Sequence, residues 1–307
     1  VHRLPLAMQA AGAAAVGVLA GALPGWALHG AVALGLAATG GFLGWQWRRG
    51  RAALGKPHPG LAWYQAALGC LLLALLAILA GLLWPAGYAA LRLVHLHLNT
   101  LGFIGLTAIG TLHVLMPTVL GQPDPLAAQR LRRQLPWALG GVALSALAGV
   151  LPWLTLPGAL LMGGVVAHTL TGWVKTHGWR RIVGDGAAVA LMGAGVGLLA
   201  AMAIGFAHGL GGMPGRPAVT AFFALFLLPL VTGALSQLLP VWRFPGPVTP
   251  ARGRMRTALV RFGALRTGLF LGGGALLTLG QTAGAALLAV GVLLFAAVLL
   301  GGLAVRR

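Results

Sequence analysis

Residues 61–84 read LAWYQAALGCLLLALLAILAGLLW, 24 consecutive positions without a charged side chain. A helix needs about 20 such residues to cross the hydrocarbon core of a bilayer. Similar runs recur through the 307-residue chain, which is 59% hydrophobic and only 7% charged. Because soluble domains carry about a quarter of their residues as charges, this composition excludes a soluble globular protein. It predicts an all-α polytopic membrane protein.

Breaks rich in basic residues, proline or glycine separate the apolar runs and predict ten transmembrane helices in a single domain, residues 1–307. The predicted spans are residues 5–22, 26–46, 61–84, 88–118, 136–151, 154–174, 186–208, 217–239, 263–281 and 284–303. The longest predicted loop, residues 241–262, is rich in arginine. We expect it to be attracted to the anionic headgroups of membrane lipids.

The basic residues predict the orientation of the helices. When the loops are numbered alternately, Arg92 and Arg216 fall on one side and the other 19 of the 21 Lys and Arg residues fall on the opposite side. Cytoplasmic loops carry the excess of basic residues, so both termini are predicted to be cytoplasmic, in a bacterial or archaeal plasma membrane. The net charge of +19 then needs no nucleic-acid partner.

A weak internal repeat links two of the predicted spans. Residues 109–117 align with residues 232–240 and share a glycine, two leucines and a proline in register. Both stretches lie at cytoplasmic ends in the predicted topology. The repeat therefore predicts a parallel duplication of a four-helix unit, in which the second copy has lost the histidines of the first.

Histidines are the polar residues that the predicted spans retain. Polar side chains are costly inside a bilayer and point to function. Six histidines lie within or at the ends of spans, whereas the two acidic residues, Asp124 and Asp185, lie in a loop and at a membrane boundary. The six are His29, His95, His97, His113, His168 and His208. Neutral imidazole ligates haem iron or copper without burying a net charge, and a set of histidines alone does not suit magnesium or calcium.

The spacing of these histidines predicts how they are shared between sites. His95 and His97 differ by about 200° around an α-helix and would serve two sites on opposite faces. His95 and His113 are five turns apart, on one face at about 27 Å. His29 and His208 lie on the outer side with the His95–His97 pair, and His168 is the candidate companion of His113. Apart from that pair, each histidine has an alternative interpretation as an interfacial cap or an interhelical hydrogen bond.

The segment Arg92-Leu93-Val94-His95-Leu96-His97-Leu98-Asn99, followed by Gly102, Gly110, His113, Pro117 and Gly121, resembles the haem-ligating helices of the haem-copper oxidase and nitric oxide reductase superfamily. It is also similar to membrane regions joined to multicopper oxidases and, loosely, to the NnrS haem-and-copper membrane proteins. The resemblance implies that His95 and His97 ligate haem, with His29 as the partner on an early helix. It does not imply a dinuclear centre, because the sequence has no His-His pair and no glutamate.

The sequence thus predicts a protein with one or two haem b groups, or a haem and a copper. We expect it to transfer electrons from a redox partner protein or quinol, or to handle nitric oxide or oxygen, as an oxidoreductase or its electron-transfer subunit. The absence of carboxylates within the spans predicts no proton pumping. Two alternatives stay open: a copper-handling membrane transporter or module, and a non-catalytic structural subunit of a larger respiratory complex.

Overall fold

The computed structural model describes residues 3–212 and 214–306, and all of the regular secondary structure in those ranges is helical. His2 and Arg307, which belong to the predicted cytoplasmic termini, lie outside these ranges. The α-helices are, in chain order, α1 (Arg3–Leu19), α2 (Ala27–Arg51), α3 (Gly60–Leu83), α4 (Tyr88–His97), α5 (Leu106–Leu120), α6 (Ala127–Leu147), α7 (Thr155–His177), α8 (Trp179–Gly184), α9 (Gly186–Gly209), α10 (Gly215–Ala221), α11 (Leu228–Arg243), α12 (Pro250–Val260), α13 (Gly263–Thr278) and α14 (Ala283–Leu303).

Seven helical segments among the described residues are long and apolar enough to cross a membrane. They are Ala27–Arg51, Gly60–Leu83, Pro85–Leu120, Pro152–His177, Gly186–Gly209, Gly215–Arg243 and Ala283–Leu303. The all-α, multi-pass architecture predicted from the sequence agrees with these segments. The other three predicted spans correspond to α1, α6 and α13.

The helix that contains the predicted fifth span, residues 136–151, begins before that span: α6 starts at Ala127 and contains Pro136 in its interior. Tertiary contacts hold the part of α6 that precedes the proline. Leu131 is fully buried, and the indole Nε1 of Trp63 donates a 2.9 Å hydrogen bond to its carbonyl oxygen. The basic residues between Ala127 and Pro136, which precede the predicted span, therefore lie on a packed helix.

The arginine-rich residues 241–262, the longest predicted loop, are largely helical. Helix α11 continues to Arg243, and α12 occupies Pro250–Val260. Ala251, Met255 and Leu259 recur every four residues along one face of α12 and are buried together. Because residues spaced by four share one face of a helix, α12 packs on the protein and leaves its arginines on the other faces.

The contacts divide the chain into two compact units, residues 1–111 with 126–162 and residues 112–125 with 163–307. In the first unit, α3 is packed against α2 and α4, and α6 also contacts α4. In the second unit, α9 is the central helix and contacts α10, α11 and α13. The single transmembrane domain over residues 1–307 stays a prediction.

Two of the long helices contain a π-helical segment. The first π-helix, Leu98–Gly105, lies between α4 and α5, and the second, Phe222–Leu227, lies between α10 and α11. Residues 109–117 align with residues 232–240 at an offset of 123 residues. The same offset aligns residues 98–105 with residues 221–228. The two π-helices therefore fall at matching positions of the weak repeat.

The helices that precede the two π-containing helices, α3 and α9, also resemble each other. Both α3 and α9 have 24 residues. The repeat aligns Gly110 with Gly233, and each glycine lies close to the preceding helix. A Cβ atom on Gly110 would lie 2.8 Å from the Cβ of Trp63, and a Cβ atom on Gly233 would lie 3.0 Å from the Cβ of Ala190. Glycine at both positions lets the two backbones approach closely.

Candidate ligand site beside the first π-helix

His95 lies on α4, and a neighbouring helix fixes the orientation of its ring. Its Nδ1 atom is 2.9 Å from the carbonyl oxygen of Ala74 on α3. Because a carbonyl oxygen can only accept a hydrogen bond, Nδ1 carries the proton and donates. Nε2 is then the ring nitrogen that remains for a metal ion, and donation through Nδ1 to a backbone carbonyl oxygen is common among metal-ligating histidines.

His97 makes a similar hydrogen bond within its own helix. Its Nδ1 atom is 2.9 Å from the carbonyl oxygen of Leu93, one turn earlier in α4. Nδ1 again must donate, because the carbonyl oxygen can only accept. Both imidazoles are half-buried, and their polar atoms are orientated by the backbone before any ligand binds.

The first π-helix begins immediately after His97 and packs tightly against α3. Thr100 donates its hydroxyl hydrogen to the carbonyl oxygen of Leu96 at 2.7 Å. A Cβ atom at Gly102 would lie 2.7 Å from the Cβ of Cys70, which shows how closely the two helices approach. The buried thiol of Cys70 therefore serves as packing. Single π-helical turns inside α-helices are frequent at functional sites.

The π-helix changes the relation between His95 and His113. The prediction that they share one face assumed a continuous α-helix, but residues 98–105 have π-helical hydrogen bonds from residue i to i+5. Each turn of that segment therefore holds more residues than an α-helical turn, and the calculated alignment after five turns loses its basis.

The remaining candidate histidines lie in different environments. His29, the third residue of α2, and His168, on α7, are exposed, whereas His113 on α5 is only 1% exposed. His208 is half-buried near the end of α9, with Nε2 3.0 Å from where a Cβ on Gly215 would lie. The contrast between buried His113 and exposed His168 gives no support to their predicted pairing.

Metal sites built from several side chains have no candidate in the described part of the chain. No group of three or more His, Cys, Asp or Glu side chains lies close enough there to hold a metal ion. A haem iron takes at most two axial ligands from the protein, so haem ligation does not require such a group.

A polar cluster in the second unit was missed by the sequence analysis. The Nη2 atom of Arg256 donates to Asp185 Oδ2 at 2.7 Å and to the carbonyl oxygen of Val119 at 2.9 Å, and its Nε donates to Gln237 Oε1 at 2.8 Å. One guanidinium on α12 thus connects the ends of α5, α9 and α11. The aspartate before the Gly/Ala-rich α9 was a detectable N-cap signal, but its arginine partner 71 residues later was not.

Asp185 has two roles in this cluster. Its Oδ1 atom accepts hydrogen bonds from the backbone N–H groups of Ala187 and Ala188 at 2.9 and 3.0 Å, which caps the first turn of α9. Its Oδ2 atom pairs with Arg256. The carboxylate therefore compensates both the helix N-terminus and a guanidinium.

Arg266 is a buried basic residue. It falls near the cytoplasmic end of the ninth predicted span, residues 263–281, and in the structure it lies on α13 and is only 1% exposed. Its Nη2 atom donates to the carbonyl oxygen of Leu259 at 3.0 Å, and its guanidinium lies 5.1 Å from the ring centroid of Phe295. Both contacts stabilise a cation away from water.

Comparison with known proteins finds no matching family model, no matching curated protein and no matching solved structure.

Proposed function

We propose that this protein binds haem b in the membrane through His95 and His97 and transfers electrons. The observation that carries the proposal is the pair of fixed ring orientations. Both histidines donate through Nδ1 to a backbone carbonyl oxygen, the orientation in which Nε2 is the nitrogen that would ligate iron. Two such rings, two positions apart on a membrane-spanning helix, match the requirements of axial haem ligands.

The protein's own residues supply the ligation and its orientation. The carbonyl oxygens of Ala74 and Leu93 hold the two rings in place, as hydrogen bonds to the second ring nitrogen do in metal sites. His29 is the proposed second axial ligand for one of the pair, and a second haem or a copper ion is proposed for the other. When bound, haem supplies one-electron redox chemistry.

The proposed physiological role is electron transfer from a redox partner protein or quinol, or redox chemistry on nitric oxide or oxygen, without proton pumping. Neither acidic residue lies inside a long apolar helix, since Asp124 follows α5 and Asp185 precedes α9. Buried carboxylates are the commonest proton carriers in membrane pumps. A role as a subunit of a larger respiratory complex is compatible with the same ligation.

The proposed topology has ten spans, with both termini on the cytoplasmic side of a bacterial or archaeal plasma membrane. It adds α1, α6 and α13 to the seven long apolar helices. Exposed tryptophans support it, because Trp side chains favour membrane interfaces. Trp26, Trp84 and Trp153 lie at proposed outer ends of helices, and Trp47, Trp179 and Trp242 at proposed inner ends.

We further propose that the chain arose by a parallel duplication of a four-helix unit. The matching positions of the two π-helices, the equal lengths of α3 and α9, and the close contacts of Gly110 and Gly233 support it. In the second copy, Ala218, Thr220 and Ser236 stand where the first copy has His95, His97 and His113. Haem ligation by this helix is therefore proposed for the first copy alone.

The test is the haem content of purified variants. We expect the native chain, purified with added haem, to show a Soret band and a pyridine haemochrome spectrum of haem b. His95→Ala and His97→Ala should each lose about half or more of that haem. His58→Ala is the matched control, because His58 lies outside the long apolar helices and binds only the backbone N–H of Gly60 in the described structure.

Metal analysis of the same samples separates haem from copper. A folded, colourless preparation that takes up no haem would refute the proposal. Copper retained without haem would favour the copper-handling alternative, and variants that change neither cofactor content nor electron transfer would favour the structural subunit.

A further inference from the structure

An apolar groove runs along the second π-containing helix, between that helix and α14. Its volume is about 470 Å³, and it is lined by residues within 219–231 and by Leu288 of α14. Ala224, which is 2% exposed, forms the floor, whereas Val219, Phe223 and Val231 are about half exposed along the rim. Thr220 supplies the only hydroxyl, and that hydroxyl already donates to the carbonyl oxygen of Arg216 at 3.1 Å.

The groove has a charged end. Arg216 lies one α-helical turn before Thr220 in α10, and Thr220 lines the groove, so Arg216 lies just beyond the groove's outer end. Its side chain is exposed. In the proposed topology the two acidic residues of the chain lie at the opposite membrane boundary, so no carboxylate neutralises Arg216 at this end.

The length of the groove matches one leaflet of a bilayer. Residues 219–231 extend over about 18 Å at 1.5 Å per residue, and half of the hydrocarbon core is about 15 Å thick. Both α10 and α14 begin at the same proposed outer boundary, and Leu288 lies only five residues after the start of α14. The groove therefore runs inward from the headgroup level on the side of Arg216.

We propose that this groove binds one acyl chain of a phospholipid whose phosphate contacts Arg216. The apolar lining suits a hydrocarbon chain, and the exposed guanidinium suits a phosphate. A quinol would place its tail similarly but carries no anionic group to pair with Arg216, so the charge favours a phospholipid. The proposal uses the proposed orientation of the helices and is independent of haem binding.

The repeat explains why an apolar ligand fits here. An offset of 123 residues places Thr220 at the position of His97, so the groove occupies the face that carries a proposed haem ligand in the first copy. In the second copy that face offers hydrocarbon side chains and one internally bonded hydroxyl. It can hold an acyl chain but offers no side chain that ligates a metal.

The test counts phosphatidylglycerol molecules that stay bound to the purified chain in detergent, by native mass spectrometry. Val231→Trp and Val219→Trp fill the inner and outer parts of the groove, and either should lower retention more than tenfold. Arg216→Gln should lower it about fivefold, the factor for one basic residue near an anionic surface. Val196→Trp, at an exposed site on α9, and Arg92→Gln, at the other proposed outer arginine, are the matched controls.

Two results would overturn the proposal. One is equal retention of phosphatidylglycerol by the groove-filling variants and by Val196→Trp, when all of these variants elute as folded protein. The other is an isoprenoid quinone that displaces the phospholipid and binds equally well to Arg216→Gln, which would assign the groove to a quinone tail. Retention reduced in Val219→Trp, Val231→Trp and Arg216→Gln but not in the controls would support it.

Discussion

Replacing Arg256 with glutamine tests how much the α12 arginine stabilises the second unit. The change removes hydrogen bonds to Asp185, Gln237 and the carbonyl oxygen of Val119. Hydrogen bonds to charged groups contribute about 1.5–3 kcal/mol each when protected from water, and exposed ion pairs contribute about 0–1 kcal/mol. Because the Arg256 side chain is 32% exposed and that of Asp185 19% exposed, we take about 1 kcal/mol for each bond.

The expected loss is therefore about 3 kcal/mol for the three bonds. At roughly 2–4 °C per kcal/mol, this corresponds to a fall in Tm of roughly 6–12 °C. The assay is thermal unfolding in detergent, followed by far-UV circular dichroism. Arg252→Gln is the matched control, because Arg252 lies on the same helix and its side chain donates only to the carbonyl oxygen of Gly246. Equal Tm values for the two variants would refute the reasoning.

Three further outcomes are expected from the packing and composition. Gly110→Leu should destabilise the chain by about 1–3 kcal/mol, because its Cβ would lie 2.8 Å from the Cβ of Trp63. Gly164→Ala should be neutral or slightly stabilising, because a Cβ there would meet no neighbouring segment within 4 Å. An equal loss of Tm in both variants would contradict this. Cys70, buried against Gly102, should react with maleimide only after unfolding in SDS, as mass spectrometry would show; rapid labelling of the folded chain would exclude that packing. In liposomes with an internal pH dye, electron transfer should move no protons across the membrane, and pH changes proportional to electron flow would show the opposite.

The sequence predicted the positions of the helices well where the hydrophobic pattern alone determines them. Residues 61–84 correspond to α3 within one residue at each end, because a long uncharged run has no alternative in a bilayer. At α6 the helix extends beyond the apolar run, because its basic first turns pack through the buried Leu131 and continue through Pro136. The arginine-rich α12 was missed, since only three of its residues, spaced by four, are buried.

The candidate site was predictable in composition but not in geometry. The cost of placing imidazole in a membrane-spanning helix identified His95 and His97. The hydrogen bond between His95 and Ala74 joins residues 21 positions apart and depends on the packing of α4 against α3, which no local pattern encodes. The π-helix that follows has no sequence signal that we could use, and it removes the basis of the calculated alignment with His113.

The most direct test of the account is the optical and electron paramagnetic resonance spectrum of the purified chain beside that of the double variant His95→Ala/His97→Ala. We predict a haem b spectrum with low-spin, histidine-ligated iron in the native chain and its loss in the folded double variant. His58→Ala should keep the native spectrum. A folded native chain without haem, or a haem spectrum unchanged in the double variant, would contradict the account.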